Sequence, residues 1–272
     1  MEIKRKKTKK VLLFGGLGNK FFQIARAQDL TVKGFDVEVI YLEGRFLSLY
    51  KLTGHMVHDD WFDISMLVRD LGIKFRRVKA SELFSLVTIF LFRKLGVKTD
   101  FNSYLCDCIK SRYRFGYNNL DVGYFQSIKH VTPEATKVIT ANLINSLMNS
   151  DKIIAGLTLH LRGGDFESST RLQSSDISNV ATLCREQFLH CFVVTNDIDY
   201  GRKTLQDIDL KTKFVAADAK SDFIFLASSS HLFVSNSTFS FWAAMCARIK
   251  QNAKIYGPKD WSYGDLLEIE II

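Results

Sequence analysis

Proline is almost missing from this sequence: Pro133 and Pro258 are the only two in 272 residues, set against 16 glycines. That excludes collagen-like and proline-rich architectures, and no Ser/Gly-rich linker or internal repeat divides the chain. Cysteine is sparse and odd in number, with Cys106, Cys108, Cys184, Cys191 and Cys246. Cys106 and Cys108 stand too close for an ordinary structural disulfide, so free thiols in a reducing compartment are expected. Paired C-x-x-C knuckles are absent, and His55-Met-Val-His58-Asp59-Asp60 matches no metal-ligand spacing, so a polar surface turn is expected there rather than a metal site. Long apolar runs are missing too. The longest, Leu83 to Phe92, contains Ser85 and Thr88 and reaches about half of the ~20 residues a membrane-spanning helix needs. A buried helix is the expected structure, and Arg93-Lys94 behind it leaves an interfacial role open. Val11 to Phe14 breaks at Gly15-Gly16, too short for the core of a signal peptide, and reads as a strand.

What is present is the material of a folded core: 47% apolar residues and a mean hydropathy of +0.01, enough for one large α/β domain or two small ones. Lys and Arg number 37 against 29 Asp and Glu, a net charge of +8. Six of the basic residues are Lys4, Arg5, Lys6, Lys7, Lys9 and Lys10, and without them the balance is near neutral, 31 against 29. A terminal basic run with no Arg/aromatic interleaving elsewhere reads as a solvated arm or a weak tether to an anionic membrane surface, not as a nucleic-acid site.

Short β-rich runs precede helical patterns throughout: Lys10 to Phe14, Asp36 to Tyr41, Ile153 to His160, Cys191 to Thr195, Lys213 to Val215 and His231 to Val234. This alternation predicts parallel sheets. The first strand leads into a helix over roughly Phe21 to Lys33 with Phe22, Ile24, Ala25 and Leu30 on its apolar face, a βαβ beginning. A second beginning follows the polar stretch Asn145 to Lys152, so two halves are expected, 1–150 and 151–272. Ligands of such folds sit at the carboxyl ends of strands, which makes the loops Gly15 to Asn19 and Leu161 to Asp165 candidate sites.

Gly15-Gly16-Leu17-Gly18-Asn19 lets backbone amides and Asn19 approach a sugar or diphosphate with no Cβ in the way, though a plain tight turn reads the same. His160-Leu-Arg162-Gly163-Gly-Asp165 places a fixed cation beside a histidine and an acid. The planar fork of Arg162 suits a diphosphate and can neutralise it as a leaving group, while Asp165 reads as a residue that caps the loop and orients the arginine. Asn236, Ser237, Thr238 and Ser240 form a hydroxyl-rich turn before a helix, able to bind phosphate through amides, hydroxyls and the helix dipole; helix capping by one of them is the competing reading.

Taken in order, Gly15-Gly-Leu-Gly-Asn19 with Phe22-Gln23, Gly123-Tyr-Phe-Gln-Ser127, His160-Leu-Arg-Gly-Gly-Asp165 and Asn236-Ser-Thr-Phe-Ser240 resemble the bacterial α-1,2-fucosyltransferase family, glycosyltransferase family 11. The resemblance spans nearly the whole chain. It implies an α/β fold of GT-B type, two Rossmann-like halves facing a central cleft, with an acceptor-side half before residue 150 and a GDP-sugar-binding half after it. It also implies an enzyme that moves L-fucose from GDP-β-L-fucose, with inversion and no metal, to a galactose-type hydroxyl of a surface glycan or O-antigen precursor. The resemblance carries donor binding to Gly16, Gly18, Asn19, His160, Arg162, Asn236, Ser237, Thr238 and Ser240. Asp222 is the expected guanine partner, because a carboxylate accepts from both the ring N–H and the exocyclic amine, with Asp197 as its rival. Catalysis is expected of Arg162, His160 and Glu167; Asp59, Asp60 and Asp63 are further carboxylates from which a base can come.

The sequence departs from the family pattern at Gly163, where a second arginine is common, at Lys20 in place of glutamine, and at Phe241 and Ala243 in place of Trp-Gly. Transfer of another GDP-sugar, or a catalytically weak GDP-sugar-binding protein, is the alternative. The expected partners are GDP-fucose and a glycan or lipid-linked acceptor, and the expected location is cytoplasmic, with peripheral contact at the inner membrane.

Overall fold

A computed structural model describes residues 7–42, 62–83, 120–121, 123–126, 128–148, 152–163, 172, 177–178, 182, 190–206, 211–215, 217–258, 263, 266–267 and 270–271. The chain divides into two compact units, Met1–Ile139 and Thr140–Ile272. In the N-terminal unit the order is β1 (Thr8–Leu13), α1 (Leu17–Val32), β2 (Asp36–Tyr41), α2 (Ile64–Asp70), β3 (Lys74–Arg77), β4 (Leu120–Asp121) and α3 (Pro133–Leu147). The division falls within α3, a helix that ends three residues short of the position where the sequence alone places a boundary.

The C-terminal unit contains β5 (Ile154–Leu161), β6 (Cys191–Thr195), α4 (Ile198–Leu205), β7 (Thr212–Val215), α5 (Ala219–Ala227), β8 (Ser229–Phe233), α6 (Thr238–Gln251), β9 (Lys254–Gly257) and β10 (Glu270–Ile271). Every described strand pairing in both sheets is parallel. The strand orders are β3-β2-β1-β4 and β10-β9-β8-β5-β6-β7, so both halves of the expected fold are Rossmann-like α/β units. Parallel sheets bury both faces, and the strands read accordingly as continuous apolar runs. Val11, Leu12 and Leu13 are buried in succession in β1, as are all residues from Leu157 to Leu161 in β5.

Leu157, Leu159, Leu161, Val193, Phe233 and Tyr256 pack as one core in the second unit. Helix α6 is buried from Ser240 to Ala247, and the two departures there are core residues: Phe241 and Ala243 have no exposed surface, and Phe241 packs edge-on against Trp242. Cys191 and Cys246 are buried, and burial pushes the Cys246 thiol well above its ordinary range. No helix among the described residues is long and apolar enough to cross a membrane.

Three expectations change. Helix α1 starts at Leu17 rather than Phe21, because Gly16 serves as its N-cap; Gly18, Asn19 and Lys20 therefore lie in the first helical turn. The basic run is only partly an arm: Lys9 and Lys10 belong to β1 and reach Asp121 at 3.7 Å and Glu82 at 2.7 Å. Glu82 also accepts from Arg76 at 2.8 Å, and these cations, Arg76 above all, hold its carboxyl down at about 2. The two-residue strands β4 and β10, and β3, a Lys-Phe-Arg-Arg segment without an apolar run, escape the sequence pattern.

In each sheet one strand is the point at which the chain changes direction. From β1 it proceeds to β2 and β3 on one side and to β4 on the other; from β5 it goes to β6 and β7 on one side and to β8 and β9 on the other. Loops leaving the two neighbouring strands part there and open a crevice at the carboxyl ends. Gln23, with no exposed surface, ties the N-terminal crevice together: Oε1 accepts from the Phe14 N–H at 3.0 Å, and Nε2 donates to the carbonyls of Phe14 and Gly123 at 3.3 and 3.1 Å. Replacing Gln23→Leu strands these backbone groups, and urea denaturation is expected to show a loss of about 2–4 kcal/mol. A loss below about 0.5 kcal/mol would contradict the stapling role.

Candidate active site

In the C-terminal unit the crevice lies between the ends of β5 and β8, and the sequence motifs of that half converge on it. His160 stands one residue before the end of β5 and is 4% exposed. Its Nδ1 lies 2.9 Å from the Ser235 hydroxyl across the crevice, and its ring packs against Phe239 at 5.8 Å. Burial first, then the neighbouring charge of Arg162, pushes the imidazole down to about 3. His160 is therefore neutral throughout the physiological range, and it supports the turn through Ser235 while Arg162, half-buried one residue past the strand, carries the positive charge.

The turn after β8 is shared between structural and open groups. Ser237 caps α6, its hydroxyl oxygen accepting from the Phe239 N–H at 3.3 Å. Ser240 is fully buried and donates to the carbonyls of Ser235 and Ser237 at 2.9 and 3.0 Å, so it shapes the turn from behind instead of facing a ligand. Asn236 and Thr238 are the partly exposed members, at the N-terminus of a 14-residue helix with no acidic residue in its first turn. Backbone amides and the helix dipole favour an anion at such a place.

Gly163 accounts for one departure from the family pattern. Its N–H donates to Asn196 Oδ1 at 3.0 Å, and a Cβ there would lie 2.7 Å from the Tyr200 ring and 2.8 Å from Asp197 Cβ. The volume beside residue 163 is filled. Asp197 caps α4 by accepting from the Tyr200 N–H at 2.9 Å, and the Tyr200 hydroxyl donates to the Leu172 carbonyl at 2.8 Å.

The two candidate guanine partners therefore differ in kind. Asp197 is occupied as a helix cap, whereas Asp222, in the first turn of α5, has a buried Oδ1 with no hydrogen-bond partner among the described residues. Burial raises the Asp222 carboxyl to about 6, helped by the charge of Asp218 and opposed by a backbone hydrogen bond at Ala217. Its neighbour Phe223 meets Phe239 edge-on at 5.4 Å, which places the start of α5 beside the α6 turn. A buried carboxylate oxygen without a partner is a cost to the fold that a ligand with adjacent N–H donors removes.

Gly16, Gly18 and Asn19 belong to the other unit, at the crevice between β1 and β4. Gly16 caps α1 with no side-chain help, accepting through its carbonyl from the N–H groups of Asn19 and Lys20 at 3.0 and 3.1 Å. Asp63 is exposed and caps α2, accepting from the Ser65 hydroxyl at 2.6 Å and from the Met66 and Ser65 N–H groups; these bonds, the hydroxyl's first, hold its carboxyl below its usual range, and a base of that kind is weak. Glu167 lies outside the described residues, as do Asp165, Asp59, Asp60, His55, His58, Cys106, Cys108 and Cys184. Among the described residues no group of three His, Cys, Asp or Glu side chains is placed to hold a metal ion. Ser235 and Asn196 are the partners the motif reading missed. Each sits beside a motif residue in a polar turn after a strand, but only the strand order reveals what it faces.

The family described as "Glycosyl transferase family 11" matches this chain over residues 55–258. No curated protein matches it. Among solved structures, a glycosyl transferase family 9 protein from Veillonella parvula is 12% identical, with 100% of this chain and 87% of that one covered and a TM-score of 0.44. The E. coli heptosyltransferase WaaC with ADP is 8% identical, with coverage of 92% and 86% and a TM-score of 0.39. POFUT1 in complex with GDP is 9% identical, with coverage of 93% and 99% and a TM-score of 0.34.

Two stability measurements test this geometry. Gly163→Ala is expected to cost about 1–3 kcal/mol in urea denaturation, since Tyr200 must move; an unchanged midpoint would mean the space is not closed. Because the folded-state pKa of Asp222 lies above its ordinary 3.8, the contribution of this carboxyl to stability falls as pH rises from about 4 through about 6, against the opposite contribution of His160, which wild type and an Asp222 variant share. Asp222→Asn is expected to melt higher than wild type at pH 7 and to converge with it below pH 4; a lower melting point at pH 7 would deny the cost assigned to this carboxylate.

Proposed function

Because this chain belongs to glycosyl transferase family 11, we propose that it transfers L-fucose from GDP-β-L-fucose, with inversion and without a metal, to a galactose-type hydroxyl in α-1,2 linkage. The observation that carries the donor assignment is the unpartnered Asp222 Oδ1 beside the Arg162 and Asn236–Thr238 crevice. Guanine offers a ring N–H and an exocyclic amine to a carboxylate, and the diphosphate offers acceptors to the guanidinium of Arg162 and to the amide-rich turn of α6.

In an inverting transfer the acceptor hydroxyl attacks opposite the departing GDP through an oxocarbenium-like transition state, so negative charge grows on the diphosphate as the glycosidic bond breaks. Arg162 neutralises that charge, and neutral His160 holds the turn that shares it. Glu167, five residues beyond Arg162, is the carboxylate we assign to the proton released by the acceptor. The acceptor is a surface glycan or O-antigen precursor handled in the cytoplasm, and Lys4 to Lys7 provide a peripheral contact with the anionic inner membrane.

One observation favours a second reading. The packing of Tyr200 and Asp197 over Gly163 leaves no room for a second arginine, which suits a protein that holds a GDP-sugar with little or no turnover.

Following GDP release and transfer from GDP-fucose to a galactoside panel, without added metal, separates the two. Wild type is expected to transfer, and Arg162→Ala to lose about 10²–10³-fold in kcat. Equal rates in both proteins would remove Arg162 from the mechanism; GDP-fucose binding with no transfer would select the second reading; no binding would overturn the donor.

A further inference from the structure

The 2.9 Å bond between His160 Nδ1 and the Ser235 hydroxyl runs in one of two directions, and each leaves a different chemistry on the other side of the ring. A neutral imidazole carries a single ring N–H. If Ser235 donates, Nδ1 accepts and the hydrogen stands on Nε2; if Nδ1 donates, Nε2 presents a bare lone pair. The hydroxyls behind the turn decide between them. Ser240 gives its hydrogen to the Ser235 and Ser237 carbonyls, so toward Ser235 its oxygen is an acceptor, at 3.4 Å. Ser235 is 2% exposed and Ser240 has no exposed surface, so the Ser235 hydrogen is enclosed. Of these two side-chain acceptors only Nδ1 stands within ordinary hydrogen-bond distance, and leaving a buried hydroxyl hydrogen on the 3.4 Å contact forfeits most of a bond. Ser235 therefore donates. The hydrogen then stands on Nε2, which is turned away from Ser235 and makes no hydrogen bond among the described residues. Phe239, 5.8 Å from the imidazole, and Phe223 edge-on behind it brace the ring in this setting.

We infer that Ser235 is a positioning residue: it fixes the ring hydrogen of His160 on Nε2, so that the imidazole meets the sugar nucleotide as a donor to a diphosphate oxygen and not as a proton acceptor. The inference takes its ligand from the donor reading above, and the place of the hydrogen from the hydrogen-bond chain alone. Phosphoryl oxygens are acceptors only, so a bare Nε2 opposes them and an Nε2–H meets them. Positive charge stays with Arg162, two residues on. Burial and that charge lower the basicity of the ring, which suits a hydrogen-bond donor and disables a base. His160 and Ser235 stand 75 residues apart and meet through the pairing of β5 with β8, so no motif on either strand reveals their coupling.

Long-range 1H–15N spectra of the full chain labelled with 15N-histidine test it, because they separate a ring nitrogen that carries hydrogen from one that does not. Six histidines are present, and His160→Gln identifies the signal by its loss. Free wild type is expected to show the hydrogen on Nε2 and a bare Nδ1. Ser235→Thr keeps that pattern, and Ser235→Ala mixes the two forms. Thermal melting checks that the variants fold; if Ser235→Ala does not, the wild-type spectrum still decides where the hydrogen stands. GDP is expected to shift the wild-type Nε2 signal with Nδ1 still bare, and to bind Ser235→Ala about threefold or more weakly. Hydrogen on Nδ1 in wild type, a Ser235→Ala spectrum identical to wild type, GDP that binds without moving the Nε2 signal, or equal GDP affinity in the two proteins would each overturn the inference. A wild type with hydrogen on Nε2, lost as a single form in Ser235→Ala, that binds no GDP leaves the positioning role standing and defeats the donor reading.

Discussion

Parallel strands cannot be joined by tight turns. Each must be followed by a crossover, and where crossovers on the two sides of one strand lead opposite ways, no loop covers the gap between neighbouring strand ends. Both units of this protein are governed by that constraint. It separates the loop after β1 from the loop after β4, and the loop after β5 from the loop after β8. Every motif residue with a described position and a chemical role lies on or beside one of these four loops, apart from Asp222, which the ring contact of Phe223 with Phe239 connects to the last of them.

Within the crevices, polar groups fall into two populations. Gln23, Ser235, Ser240 and the Nδ1 of His160 are buried and bonded to protein partners, so they set loop shape. Asp222 Oδ1, Asn19 Nδ2 and Gln126 Oε1 have no such bond among the described residues. Of these three, Asp222 Oδ1 is the buried one, and a folded chain tolerates few such atoms, because each forfeits hydration without compensation. The chemistry of the open groups differs accordingly: a carboxylate in one unit, a mixed amide pair in the other.

Much of this was legible in the amino-acid order. Asp36–Tyr41 and Cys191–Thr195 are strands with the bounds read from the sequence, the second as the undiluted apolar run of a buried parallel strand and the first through its β-branched Val37, Val39 and Ile40. β3 was not legible, because Glu38 and Glu82, from elsewhere in the chain, neutralise its charge at Arg76. The ordered motifs identified the family, yet they ranked Ser240 with Asn236 and Thr238 as ligand contacts. Only three-dimensional packing shows that the Ser240 hydroxyl points to the Ser235 and Ser237 carbonyls. Likewise Asp197 and Asp222 look equivalent as acids near strand ends, and the helix that Asp197 caps is what distinguishes them.

The closed space beside Gly163 bears on the lineage as well as the molecule. An arginine arising there in one step meets the Tyr200 ring and the Asp197 side chain before it reaches any phosphate. Tyr200 is in turn held by its hydroxyl to Leu172. A consensus-guided redesign that exchanges residue 163 alone therefore meets a steric barrier, and one that also changes position 200 relieves part of it.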